Sequence, residues 1–216
     1  MAKKIKVWDA PTRLFHWVLA ILFAMSSYSA FESKFGFYGD MHLYSGVAII
    51  ALIIWRIIWG FMGSETSRFA SFLKGPRAVV KYFKGKQELE IIGHNPVGGY
   101  SVLLMLILIL TQAILGLFSN DGMLFSGPFS FDAGENTDLI TDIHELLGLV
   151  ILYIVGLHIF AVFVYLFVKK TNLLWPMISG KSEFAESVKV PYVQSTMLAI
   201  LTAVVVSAIV YWYVLG

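Results

Sequence analysis

Polar and apolar positions along this chain fall into long blocks rather than the short alternations of half-buried strands or amphipathic helices. Five apolar runs stand out, at about residues 14–30, 41–59, 97–118, 142–168 and from Tyr192 to Leu215. Each is long enough to cross a hydrocarbon layer about 30 Å thick as a helix rising about 1.5 Å per residue. The third run follows Asn95-Pro96, a good N-cap with proline at the first helical position, and Gln112 is its only strongly polar interior residue. The fourth carries no charge for more than twenty residues after Glu145. The fifth ends on Trp212 and Tyr213, residue types that anchor helices at the membrane interface.

The first run resembles a signal peptide, with small residues at Ser27, Ser29 and Ala30. It also contains His16 and Trp17, and it is taken as a spanning helix. Between the runs lie a short turn (Glu32 to Asp40), a polar segment (Gly60 to Pro96), a loop (Ser119 to Thr141) and a stretch from Lys169 to Val190. Within the second of these, Pro76 to Phe83 predicts a short interfacial helix with Val79, Val80 and Phe83 as apolar contacts. The expected architecture is an all-α integral membrane protein: a four-helix transmembrane bundle over residues 1–190 and an additional C-terminal transmembrane helix over 191–216.

Composition agrees. Of 216 residues, 58% are hydrophobic and only 14% charged, whereas a soluble domain carries about 25% charged residues. The absence of cysteine excludes disulfides, chain-borne iron–sulfur ligation, thiolate zinc sites and covalent c-type haem attachment. Five histidines, eight methionines and the carboxylates remain as metal ligands. No nucleic-acid partner is expected.

Charge placement predicts orientation. The amino terminus holds four Lys and Arg residues, the second polar segment seven counting Arg56, and the fourth four, whereas the first and third together hold only Lys34. Basic segments stay cytoplasmic, so the amino terminus is expected on the cytoplasmic side and the carboxyl terminus outside. The third loop carries Asp121, Asp132, Glu135 and Asp138 and no basic residue. It is either a docking face for a basic partner or simply the usual lack of positive charge outside.

His144 and His158 lie fourteen residues apart on the fourth run. Fourteen steps of about 100° return to within about 40° of the starting face, about 21 Å along the axis. Histidine within hydrocarbon is costly and normally functional, although hydrogen bonding to a neighbouring helix is the plain alternative. The topology puts His42 and His144 at the outer ends of helices two and four, with His16 and His158 nearer the inside. Two pairs at two depths suit two haems, each with two axial imidazoles. Bis-histidine iron has no vacant position, which favours electron transfer over oxygen binding. Zinc needs ligands converging at one depth, and proton relays need closer chains of carboxylates or histidines.

Glycine follows two of these histidines at the same offset, Gly46 in HLYSG and Gly148 in HELLG. Positions i and i+4 share a helix face, so a missing side chain there admits a flat macrocycle. Small-residue packing between membrane helices gives the same pattern.

The stretches VWDAPTRLFHW (7–17), HLYSGVAIIALIIWRIIWGFMGS (42–64), GHNPVGG (93–99), HELLGLVILYIVGLH (144–158) and NLLWPMISG (172–180) resemble the bacterial dihaem cytochrome b561 family. That family includes the b-type cytochrome subunits of membrane-bound nickel–iron hydrogenases. The resemblance implies a four-helix bundle holding two b-type haems, with His16, His42, His144 and His158 at the ligand positions. It also implies electron exchange between membrane quinone and a periplasmic redox partner, a c-type cytochrome or a hydrogenase. The fifth helix, absent from many members, departs from the pattern.

Arg13 and Arg56 have two readings, pairing with a haem propionate or snorkelling to the interface. The resemblance suggests that His94 stands beside the inner haem or the quinone; it is equally placed to be part of a turn. Trp8 and Asp9 read as anchor and cap. Two rival functions follow: a stand-alone superoxide:quinone oxidoreductase, for which basic residues near the outer haem are wanted and only Lys34 is available, and a haem-free membrane anchor subunit.

Overall fold

The computed structural model describes residues 2–32, 35–84 and 91–216. Lys34 and Lys86, both counted in the charge asymmetry, lie outside these described residues. In order, the elements are β1 (Ala2–Lys6), α1 (Ala10–Phe31), α2 (Phe37–Met62), α3 (Phe69–Phe72), α4 (Pro76–Phe83), α5 (Pro96–Phe118), α6 (Ser130–Ala133), α7 (Thr137–Phe167), α8 (Leu174–Ser179), β2 (Lys181–Ala185) and α9 (Thr196–Leu215). Single 3₁₀ turns at Glu65–Ser67 and Gly134–Asn136 precede α3 and α7. Five helices, α1, α2, α5, α7 and α9, are long and apolar enough to cross a membrane, and the protein is a helical, multi-pass membrane protein.

Several helices start earlier than the apolar runs. Asp9 caps α1 by accepting a hydrogen bond from the Thr12 amide at 2.7 Å, which starts the helix four residues before the apolar run. The turn expected to last through Asp40 is already helical from Phe37. Gly36, at φ +62°, supplies the left-handed turn, and Asp40 places negative charge in the first turn of α2. At its other end α2 continues to Met62, so Arg56 lies inside the helix rather than in its last turn. Asn95 caps α5 as expected, with Oδ1 2.7 Å from the Gly98 amide. The expected interfacial helix is α4; Val80 and Phe83 are exposed on it. α9 starts four residues late because Tyr192 and Gln194 are bonded to the Glu65 and Ser64 side chains through their backbone amides, both at 2.9 Å.

The sequence pattern gave no sign of a sheet. Residues 2–6 pair antiparallel with residues 181–185, Ile5 opposite Ser182. Ile5 is almost fully buried, and the neighbouring lysines point to solvent.

The chain divides into two compact units. Unit one comprises residues 1–15, 56–104 and 158–201; unit two comprises residues 16–55, 105–157 and 202–216. The core of unit one includes Trp59 and Phe72, and that of unit two includes Ile49, Ile53 and Ile151.

Candidate functional site

Unit two contains a cavity of about 360 Å³ between α1, α2, α5 and α7, within the usual size range of small-molecule and cofactor sites. His42 enters it from α2 and His144 from α7. Their ring centres are 6.1 Å apart and the rings are nearly perpendicular, at 86°. A metal midway would lie about 3 Å from each centre; a ring nitrogen about 1 Å out from the centre leaves about 2 Å, the length of a metal–imidazole bond.

The hydrogen bonds fix the chemistry of each ring. Nδ1 of His42 lies 3.0 Å from the Ser26 carbonyl and 3.1 Å from the Ser29 hydroxyl. Nδ1 of His144 lies 3.0 Å from the Gln112 carbonyl. A carbonyl only accepts, so each Nδ1 carries the proton and each Nε2 the lone pair. Metal-bound histidines commonly carry this outer hydrogen bond, which sets tautomer and ring orientation.

The cavity walls are shaped by glycine. Gly46 and Gly148 both line it. A Cβ on Gly46 would meet nothing within 4 Å, and one on Gly148 would come 3.1 Å from the Gln112 amide nitrogen. Gly116 on α5 acts differently: a Cβ there would sit 2.9 Å from Cε1 of His144, so the glycine lets the imidazole lie against α5. Phe125, from the loop before α6, meets the His42 ring edge-on at 6.1 Å. The Oε1 atom of Gln112 is buried without a hydrogen-bond partner among the described residues, and its Nε2 lies 3.4 Å from Nε2 of His144. Paired lone-pair imidazoles, a glycine-lined cavity and an unspent buried acceptor are compatible with a haem here.

Sequence reasoning singled out the two histidines, Gly46, Gly148 and the polarity of Gln112. It missed Ser26, Ser29 and Gly116 as parts of this site. The signal for the serines was their position on the first run, about one turn apart on one face; for Gly116 it was the i+4 offset from Gln112.

His16 and His158 fall in different units. His16 is half-buried, with its ring edge-on to Trp17 at 5.1 Å, and His158 is half-buried on α7.

Unit one gathers Arg13, Arg56 and His94 with His158. Arg56 is 2% exposed. Its Nη2 donates to the Ser67 carbonyl at 3.0 Å and its guanidinium stands 5.3 Å over the Phe69 ring, so it does not snorkel. Arg13 donates through Nη1 to the Ile178 carbonyl. Nη1 of Arg56 and Nε of Arg13 are buried without a hydrogen-bond partner among the described residues, and such N–H groups favour an anionic acceptor. Asp9, read only as a cap, does more: its Oδ2 accepts from Trp59 Nε1 at 3.1 Å and from the Ser67 hydroxyl at 3.5 Å. His94 packs between Trp8 and Phe72, at 4.7 and 4.9 Å between ring centres.

The third loop is tightly folded. Asp121 Oδ1 accepts from the amides of Met123, Leu124 and Phe125 at 2.8–3.0 Å, and Thr141 bonds both backbone groups of Asn120. Its outer surface exposes Met123 at 90% and Phe131 at 94% near its acidic residues.

Among known proteins, the chain is 25% identical over 217 residues to a protein of Rhizobium leguminosarum bv. viciae named "Probable Ni/Fe-hydrogenase B-type cytochrome subunit"; the match covers 85% of this chain and 91% of the relative. No solved structure matches the chain significantly. Residues 7–180 match the family described as prokaryotic cytochrome b561, and on that match, spanning most of its length, the chain belongs to this family of helical membrane b-type cytochromes.

Proposed function

We propose that the protein is a dihaem electron conduit of the bacterial inner membrane, exchanging electrons between the quinone pool and a periplasmic redox partner. The observation that carries this reading is the His42–His144 pair, 6.1 Å between ring centres across a glycine-lined cavity. In this reading His42 and His144 hold the outer haem, and His16 and His158 hold the inner one. When bound, haem iron supplies a one-electron carrier; the chain's part is to orient the imidazoles, exclude water and set the surrounding polarity.

Arg13 and Arg56 are assigned to propionates of the inner haem, supported by their buried, unspent N–H groups. His94, in the same unit as His158, is assigned to the surroundings of that haem and the quinone. The basic segments support a cytoplasmic amino terminus and a periplasmic carboxyl terminus. Because the family match ends at residue 180, residues 191–216 are read as a helix added to a haem-binding bundle formed by residues 1–190.

The relative's name favours a hydrogenase as the partner over a c-type cytochrome. The third loop, acidic and with Met123 and Phe131 standing proud, suits a partner with a basic rim around an apolar patch. Acidic residues there disfavour a superoxide-oxidising role, since an anionic substrate would be repelled.

Reduced-minus-oxidised spectra and haem-to-protein ratios of purified protein test the reading. The expected result is b-type bands with two haems. His42→Ala and His144→Ala should lose one and the same redox component, and His16→Ala and His158→Ala the other. Absence of b-type bands would end the haem assignment, and loss of one shared component in His42→Ala and His16→Ala would overturn the pairing.

A further inference from the structure

α4 is sewn to the ends of two spans. Its Tyr82 hydroxyl lies 2.5 Å from that of Tyr165, in the last turn of α7, and 3.1 Å from the Asn95 amide nitrogen at the cap of α5. The segment leading into α4 is held as well: the Lys74 carbonyl accepts from the Tyr100 hydroxyl, early in α5, at 2.7 Å. All of these residues belong to unit one. α5 begins and α7 ends with their apolar spans, so α4 is held at the level where hydrocarbon gives way to head groups.

The helix divides into three strips. At about 100° per residue, Arg77, Lys81 and Lys84 fall within about 60° of one another. All three are exposed, and none has a carboxylate within 4.0 Å among the described residues. Beside them come Val80, 50% exposed, and Phe83, 74% exposed. Ala78, Val79 and Tyr82 are half-buried and fill the remaining arc, on the packed side.

Cations and large apolar side chains exposed edge to edge suit an interface. The apolar pair enters the acyl region while the neighbouring cations reach the phosphates. A zwitterionic lipid brings its own cation to each phosphate, whereas an anionic lipid leaves its charge to the protein. That difference is worth about fivefold in binding for each Lys or Arg. A free phosphate ion would satisfy the cations but leave Val80 and Phe83 in water.

We infer that α4 is a docking surface for anionic phospholipid, with Arg77, Lys81 and Lys84 at the phosphates and Val80 and Phe83 among the upper acyl chains. The inference does not depend on what occupies the histidine-lined cavity.

The test is titration of the full-length, delipidated protein in neutral detergent with dioleoylphosphatidylglycerol or dioleoylphosphatidylcholine. Bound lipid is counted by mass spectrometry of the intact complexes. Wild-type protein should prefer the anionic lipid by at least about tenfold. Arg77→Gln/Lys81→Gln/Lys84→Gln should lose most of that preference with phosphatidylcholine binding unchanged. Lys3→Gln/Lys6→Gln/Lys181→Gln removes the same charge from the exposed side of the β1–β2 pair and should keep it. Unchanged preference in the first variant, or equal loss in both, would show that α4 is not the site and would overturn the inference. Val80→Ser/Phe83→Ser should weaken phosphatidylglycerol binding severalfold. No effect there, or displacement of the lipid by inorganic phosphate, would mean that the surface reads phosphate alone and would overturn it as a lipid site. Labelling of wild-type protein with a photoreactive phosphatidylglycerol covers the case in which a variant does not assemble. Label on residues 76–84 supports the inference, and label confined elsewhere overturns it.

Discussion

The Ser29 hydroxyl lies 3.1 Å from Nδ1 of His42 and donates its own proton to the Ser26 carbonyl at 2.9 Å. Both oxygens therefore face the Nδ1–H, and the ring is pinned with Nε2 as its ligating nitrogen. Ser29 is fully buried, so water does not replace its hydroxyl. Ser29→Ala leaves Nδ1 the Ser26 carbonyl at 3.0 Å and the more distant Ser26 hydroxyl at 3.5 Å. The expected outcome is about a tenfold loss of haem affinity at the His42–His144 site and, on the dihaem reading proposed above, no change at the second haem. Haem titration of apoprotein, followed by the b-type absorbance, reads both.

Asp9 and Arg56 are each 2% exposed and belong to one buried network. Asp9 accepts from the Thr12 amide, Trp59 and Ser67, and its charge offsets the buried Arg56. Removing the carboxylate takes the acceptor from the buried Trp59 indole N–H and the offsetting charge from Arg56, and one unsatisfied buried donor alone costs about 1–3 kcal/mol. Asp9→Ala is expected to lower thermal stability by that order. Asp9→Asn should lose less, since its one carbonyl oxygen keeps the acceptor for the Thr12 amide, although its NH2 group cannot accept from Trp59. Thermal unfolding in detergent, followed by circular dichroism, separates the two.

The parts legible in the sequence were those that repeat a simple rule over many residues. Twenty apolar residues make a span almost irrespective of order, so five helices could be read. Counting along those helices placed His42 and His144 at one level, and in the folded chain their rings are 6.1 Å apart. What could not be read depends on single atoms or distant partners. The start of α1 turns on one carboxylate, Asp9. The β1–β2 pair joins two five-residue segments nearly the whole chain apart, each too short and too polar to announce itself. Gly116 matters because a Cβ would strike His144, a contact that appears only once α5 and α7 have met. His16 and Asn95 show the two cases side by side: the Asn95 cap follows from its own tripeptide, whereas nothing local to His16 specifies what faces it.

Tyr82 provides a pH test outside the spanning helices. Burial, then the hydrogen bond with Tyr165, raises its pKa from the ordinary 10.0 to about 12. A folded-state pKa above the unfolded one means that the native state holds the proton more tightly. The contribution is therefore complete below pH 10 and declines as pH rises from there through about 12. Absorbance titration of phenolate is expected to lose one late-ionising tyrosine in Tyr82→Phe relative to the wild type, and Tyr165→Phe should bring that tyrosine back toward the ordinary value. Identical titrations of the wild type and Tyr165→Phe would remove the Tyr82–Tyr165 bond from the account.

The last helix separates stability from cofactor binding. α9 touches the rest of unit two through the Trp55–Thr202 hydrogen bond, at 3.1 Å, and buries Val206 and Val210. The segment leading into it holds Glu65 and Ser64 through Tyr192 and Gln194. Yet the residues lining the cavity around His42 and His144 come from α1, α2, α5, α7 and the third loop, and none comes from α9. Truncation after Ser187 is therefore expected to leave the haem of the His42–His144 cavity in place, and on the dihaem reading proposed above the second haem as well. It exposes apolar surface and removes the Thr202 hydroxyl that accepts from the Trp55 indole N–H, a loss of about 1 kcal/mol for that hydrogen bond, so the midpoint of thermal unfolding should fall. Haem content and unfolding midpoint measured on the same truncated protein make the separation visible. A stably inserted truncate lacking either haem would show that α9 closes the bundle around the cofactors rather than merely bracing α2.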